Sequence, residues 1–208
     1  MKMWKLATAL AALTVSVGVA TAASADTYDL NVSSAFPTGV TYGVVTTTQN
    51  GADVDVSVSL TSGYKFVNTG GHNTFTFNTN DPTMSVADVT NINLTGWTDF
   101  TPGANPSFGT FTIGLECTAD SCKNGNGGAQ TGPLTFTVQN TTLANFAPNA
   151  SGFTFSADIV APDGITTGAV GGAMPGVPEP ATWAMMILGM GMVGAGLRMR
   201  RRPAFATA

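Results

Sequence analysis

Between residues 53 and 60 the chain reads Asp-Val-Asp-Val-Ser-Val-Ser-Leu, so polar and apolar side chains alternate at every step. A period of two puts Val54, Val56, Val58 and Leu60 on one face of an extended strand and Asp53, Asp55, Ser57 and Ser59 on the other. The same period recurs down the chain. Phe75 and Phe77 alternate with Thr74, Thr76 and Asn78, and Phe111 and Ile113 with Thr110 and Thr112. Leu134, Phe136 and Val138 alternate with Thr135 and Thr137, and Phe153 and Phe155 with Thr154 and Ser156. The hydroxyl residues of these runs are expected to face outward. Asn50-Gly51, Gly70-Gly71, Pro102-Gly103 and Gly127-Gly128 punctuate the runs with turn formers. No stretch of the domain carries a helical stripe, and no fixed-period repeat points to a solenoid. The pattern predicts an all-β domain over residues 26–160, an antiparallel β-sandwich of jelly-roll or immunoglobulin-like kind. Gly164, Gly168, Gly171, Gly172 and Gly176, with Pro162 and Pro175, predict a flexible linker over 161–176.

The two ends have a different composition. Lys2 and Lys5 precede an uncharged, largely apolar run from Leu6 to Ala20, and Ala23-Ser24-Ala25 follows as a small-x-small site. That arrangement predicts a secretory signal over residues 1–25, cleaved after Ala25. From Ala181 to Leu197 no residue is charged, and Arg198, Arg200, Arg201 and Arg202 follow, with a short tail over 203–208. The apolar run predicts one transmembrane helix, with Trp183 at one interface and the basic cluster held in the cytoplasm as a stop-transfer signal. The precursor is then anchored in the inner membrane with its domain outside.

Charge narrows the function. Only 10% of residues are charged, against roughly 25% in an average domain. Between residues 26 and 176 eleven acids meet only Lys65 and Lys123. Such a domain is soluble and opposes nucleic acid, which needs clustered cations.

Ahead of the apolar run stands Val177-Pro178-Glu179-Pro180-Ala181-Thr182-Trp183-Ala184. Two prolines around a glutamate favour extended backbone, suited to a processing enzyme's cleft. Pro178, Glu179, Pro180, Trp183 and Ala184, with the Met- and Gly-rich span and the arginine cluster, resemble the PEP-CTERM sorting signal over residues 177–202. The resemblance implies export by a Gram-negative bacterium and recognition by exosortase, a membrane cysteine transpeptidase-like enzyme. It further implies loss of the tail near the motif and transfer to the cell surface or extracellular matrix, in bacteria that make exopolysaccharide or biofilm. Within the same span Gly189, Gly191 and Gly194 fit a dinucleotide-binding spacing. The preceding strand and following acid that this motif needs are missing, so helix packing is the better reading of these glycines.

Chemistry-bearing residues are few. Cys117 and Cys122 predict a local disulfide in an exported chain; a redox pair would more often have two intervening residues, and the pair lacks partners for zinc. His72 reads as a loop residue and Trp97 as a half-buried core residue. Thr-x-Thr runs invite an ice-binding reading, which ordinary strand preference explains more simply. No catalytic residue, metal site or cofactor is expected, and the partners expected are exosortase and exopolysaccharide or other envelope components. The function expected is that of a non-catalytic surface or matrix protein. The alternative is a secreted hydrolase of matrix glycans using dispersed carboxylates such as Glu116 and Asp99.

Overall fold

The computed structural model describes residues 24–117, 122, 128–173, 175–176, 186–187 and 189–191. The chain opens with β1 (Ala25–Leu30), β2 (Val32–Ser33), β3 (Gly43–Asn50), β4 (Asp53–Leu60) and β5 (Lys65–Phe66). Next come β6 (Phe75–Phe77), β7 (Val89–Thr90), β8 (Trp97–Phe100), β9 (Gly103–Asn105) and β10 (Gly109–Phe111). The last five are β11 (Ile113–Cys117), β12 (Leu134–Val138), β13 (Phe155–Val160), β14 (Thr167–Gly172) and β15 (Pro175–Gly176). Two short 3-10 turns, Val86–Asp88 and Leu143–Asn145, join strands of the domain.

Six strands form sheet one in the order β15-β1-β3-β4-β12-β7. Sheet two runs β2-β14-β13-β6-β11-β8, with β5 also paired to β13. Pairing is antiparallel throughout the two sheets. The β3–β4 hairpin pairs Asn50 with Asp53, and Gly51 at its tip takes φ 63°, a conformation that favours glycine. Alternation then works as predicted in β4 and β12: Val54, Val56, Val58, Leu134, Phe136 and Val138 are buried. These side chains meet those of sheet two in one shared core. Tyr28 of sheet one lies edge-on to Phe155 of sheet two at 4.6 Å, and Phe136 stacks on Phe77 at 5.7 Å. The described residues of the domain therefore adopt the expected all-β, antiparallel class.

Three expectations need correction. Residues 167–176, read as linker, include β14 and β15; Ala169 and Val170 of β14 are fully buried. The glycines there serve close packing instead of flexibility: a Cβ on Gly168 would lie 2.7 Å from Ala35, and one on Gly172 would lie 2.7 Å from the Asp29 carbonyl oxygen. Second, Thr74, Thr76, Thr154 and Ser156 are buried, not outward. The β9–β10 ribbon covers the far face of sheet two, and Gly103 comes so close that a Cβ would sit 2.5 Å from the Ile113 carbonyl. Third, Phe111 and Ile113 share a spacing but not a layer. Phe111 packs with Phe108 and Ala169 under the ribbon, while Ile113 belongs to the main core.

No helix among the described residues is long and apolar enough to cross a membrane. Most of the expected span over 181–197 lies outside the described residues, as do Ala23 and the signal segment before it. Ala25 begins β1, opposite Thr48.

If β14 completes the core, a chain of residues 26–176 should unfold cooperatively in urea, and one ending at 166 should unfold at a much lower urea concentration. Losing Ala169 and Val170 with their strand should cost about 4 kcal/mol or more by comparison with core truncations, read from the denaturation midpoints.

Candidate functional site

Cross-strand register turns the outward residues of sheet one into rows. Thr27, Thr46, Ser57 and Thr135 stand side by side across β1, β3, β4 and β12. The next row is Ala25, Thr48, Asp55, Thr137 and Thr90, reaching β7. Neighbouring side chains in a row are roughly 5 Å apart, close enough for hydroxyls to share a ligand. A shallow groove of about 260 Å³ opens along these rows, lined by Thr46, Thr48, Asp55, Ser57, Thr135 and Thr137 together with Asn91. Asp55 is fixed there: one carboxylate oxygen accepts from Thr137 Oγ1 at 2.9 Å and the other from Asn50 Nδ2 at 2.9 Å. The floor thus offers many neutral hydroxyls and one oriented anion, with no cation among its lining residues. Such a surface suits neutral polyhydroxylated ligands through hydrogen bonds.

A second polar cluster lies under the loop between β5 and β6, on the covered face of sheet two. Asp158 of β13 is fully buried. Its Oδ2 accepts from the Thr69 amide at 2.6 Å and the Thr69 hydroxyl at 2.7 Å, while Oδ1 has no partner. Burial pushes this carboxyl up to about 7, against the two bonds from Thr69 that favour the anion. Glu116 accepts from Asn68 Nδ2 at 2.5 Å and Asn73 Nδ2 at 3.2 Å. Asn73 in turn accepts from the Ala104 amide at 2.6 Å, tying the loop to the ribbon. His72 Nδ1 is buried without a partner, and burial lowers the histidine below its ordinary value.

Cys117 and Cys122 do not form the expected disulfide: both are free, buried thiols. Each sulfur has its own hydrogen bond, Cys117 accepting from Gln130 Nε2 at 3.3 Å and Cys122 donating to the Phe66 carbonyl at 3.8 Å. Burial first, and then the hydrogen bond with Cys117, push the Cys122 thiol well up. Such an environment does not make Cys122 a reactive thiolate.

Glu116 and Asp99 are not brought together. Asp99 pairs with Leu115 and Glu116 with Thr98, so the two carboxylates leave opposite faces of sheet two. Trp97 is half-buried, edge-on to Phe66 at 5.6 Å, with its Nε1 donating to Gln130 Oε1 at 2.7 Å. It is a core residue, as expected. Among the described residues no group of three His, Cys, Asp or Glu side chains converges as a metal site. Pro178, Glu179, Pro180, Trp183, Ala184 and Arg198, Arg200, Arg201 and Arg202 lie outside the described residues. The buried network around Asp158 was not anticipated. Its one signal in sequence is a charged residue inside the otherwise small and apolar run Phe155–Val160.

Residues 176–202 match the family described as PEP-CTERM protein-sorting motif. The motif marks the chain as exported and sorted by exosortase, from a membrane-anchored precursor of the Gram-negative type. No curated protein and no solved structure matches the chain.

Asp158 makes stability pH-dependent in a defined direction. Its folded value, about 7, is above its ordinary 3.8, so its contribution is fully present below the lower value and is lost as pH rises through the upper one. Asp158→Asn should therefore flatten the fall in urea midpoint between pH 4 and pH 8, roughly the window these two values bound. The substituted protein should equal or exceed the native one at pH 8, measured by equilibrium denaturation across the series.

Proposed function

We propose that this protein is a non-catalytic component of the cell surface or extracellular matrix, released from its membrane anchor by exosortase. The single observation that carries this reading is the sorting-motif match at residues 176–202. It supports a route that ends outside the cell, where the chain meets polysaccharide and other envelope polymers. The outward face of sheet one supports the second half. Its hydroxyl rows and Asp55 offer hydrogen bonds to neutral polyols without the cationic surface that nucleic acid requires. The acidic balance keeps such a domain soluble in a matrix and discourages adsorption to anionic lipid. A catalytic role has no comparable support, since Glu116 and Asp99 leave opposite sheet faces.

Intact mass and cell fractionation of the protein in its host test the reading. The native form should lose the tail and reach the surface or medium. With Pro178, Glu179 and Pro180 replaced by alanine, it should remain in the inner membrane at precursor mass. Retention of both forms at full mass would overturn the sorting reading and remove the main ground for a matrix role. The released native protein should also bind matrix isolated from its host, and Thr46→Val with Thr135→Val should weaken that binding about tenfold by removing two hydroxyls from the floor, roughly 0.5–1.5 kcal/mol each.

A further inference from the structure

Two hollows follow one another along the β4–β12 pair of sheet one. The groove described above takes in Asp55, Ser57, Thr135 and Thr137. A second hollow, of about 270 Å³, has Ser59, Thr61, Ser62, Tyr64, Thr131 and Pro133 in its lining. In the strand pair Thr137 stands opposite Asp55 and Thr135 opposite Ser57. Ser59 follows Ser57 by two positions, so it leaves the same face of β4. From Asp55 to Ser59 the strand covers about 13 Å, and the turn over 61–64 carries the second hollow beyond it. The segment after β7 runs beside both hollows. Asn91 lines the first, and at their junction Asn93 accepts from the Thr135 amide at 2.8 Å and donates to the Pro133 carbonyl at 3.0 Å. In the second hollow Tyr64 is held edge-on by Tyr42 at 5.4 Å and by Phe36 at 5.8 Å, which fixes its ring.

The chemistry of the lining selects the occupant. Neither hollow has Lys, Arg or His among its lining residues, and Asp55 sets one anion in the first. An anionic polymer is therefore opposed and a neutral one is not. The hydroxyls of Thr46, Thr48, Ser57 and Ser59 engage no protein group among the described residues, whereas on the covered sheet Thr76 and Ser156 bond each other at 2.5 Å. Each free hydroxyl can both donate and accept, as a polyol ligand requires. An extended peptide fits less well, because it would add to a free sheet edge. β4 and β12 are interior strands, each paired on both sides. A small sugar also fits less well, since each hollow is below the roughly 300–1,000 Å³ that encloses a small ligand. A linear chain laid along β4 meets both hollows without being enclosed, and it is held by its internal units instead of its ends.

We infer that the β4–β12 face holds an internal stretch of a linear, neutral polysaccharide that bridges the two hollows, with Asp55 in one and Tyr64 in the other. The inference rests on the matrix reading above and adds to it the class of polymer and the second half of the site.

The test uses the full chain purified from its host in mild detergent. The probe is polysaccharide from the host's own matrix, freed of protein, separated by anion exchange into neutral and acidic fractions and cut by mild acid into fragments of graded length. Titration calorimetry should show binding of long neutral fragments, with no competition from the free monosaccharides. Ser59→Ala with Thr131→Val, two exposed positions in the second hollow, should weaken that binding about tenfold through the loss of two hydroxyls. Ser62→Leu, at an exposed position of the turn, should give the same loss by filling the hollow, and unchanged urea midpoints should show that each variant is folded. Native affinity in both variants overturns the bridging of two hollows and leaves the matrix role standing. Binding confined to the acidic fraction, or to the protein removed from the matrix, overturns the class of polymer. Binding of monosaccharides as tight as that of long fragments overturns the linear mode. Failure to bind any matrix fraction overturns the inference together with the matrix-binding part of the reading beneath it.

Discussion

Phe136 shows what the rest of the molecule depends on. It projects from β12 in sheet one, and its ring lies 5.7 Å from Phe77 and 6.0 Å from Phe75 of sheet two. Phe155 continues the contact, with Tyr28, Phe75 and Phe146 at 4.6, 6.0 and 5.8 Å. Buried aromatic rings of this kind cover about 150–250 Å² each, and at about 25 cal/mol per Å² that is roughly 4–6 kcal/mol per ring as an upper estimate. With so few cations in the domain, ion pairing has little to add. Apolar contact between the sheets therefore fixes their facing. That facing decides which threonines reach solvent and which are sealed beneath a second layer.

Period-two alternation made β4 and β12 legible, because each has one face on the core and one on water. It failed for β6 and β13, which are buried on both faces. Nothing local distinguishes Thr76 in a covered strand from Thr135 in an open one. The difference arises from the β9–β10 ribbon, a distant segment whose docking depends on Asn73, Asn105 and Ser156: Asn105 Nδ2 donates to Ser156 at 2.9 Å, and Ser156 shares a 2.5 Å hydrogen bond with Thr76. Glycine misled for a related reason. Gly168, Gly171 and Gly172 read as slack in one dimension, whereas in three they leave room for Ala35, Phe153 and the Asp29 backbone.

The candidate surfaces divide along the same line. The sorting segment is a local signal read by another protein, so it is legible without any fold. The hydroxyl rows of sheet one required register, since Thr27, Thr46, Ser57 and Thr135 come from four strands. The network around Asp158 required layering. Its acid is buried, bonded through one oxygen to Thr69 and left open at the other, and no spacing rule could have joined residues so far apart.

Lys65 has a consequence of its own. It lies in β5, where Val160 of β13 is its partner, and it is one of two basic side chains between residues 26 and 176. Digestive enzymes that cut after lysine or arginine need that stretch of backbone unpaired and extended in their own groove. At Lys65 the backbone is already engaged in a ladder, which leaves Lys123 as the other place such an enzyme could begin. The scarcity of positive charge between residues 26 and 176 therefore leaves an enzyme of that specificity two places to cut, one of them held in a ladder.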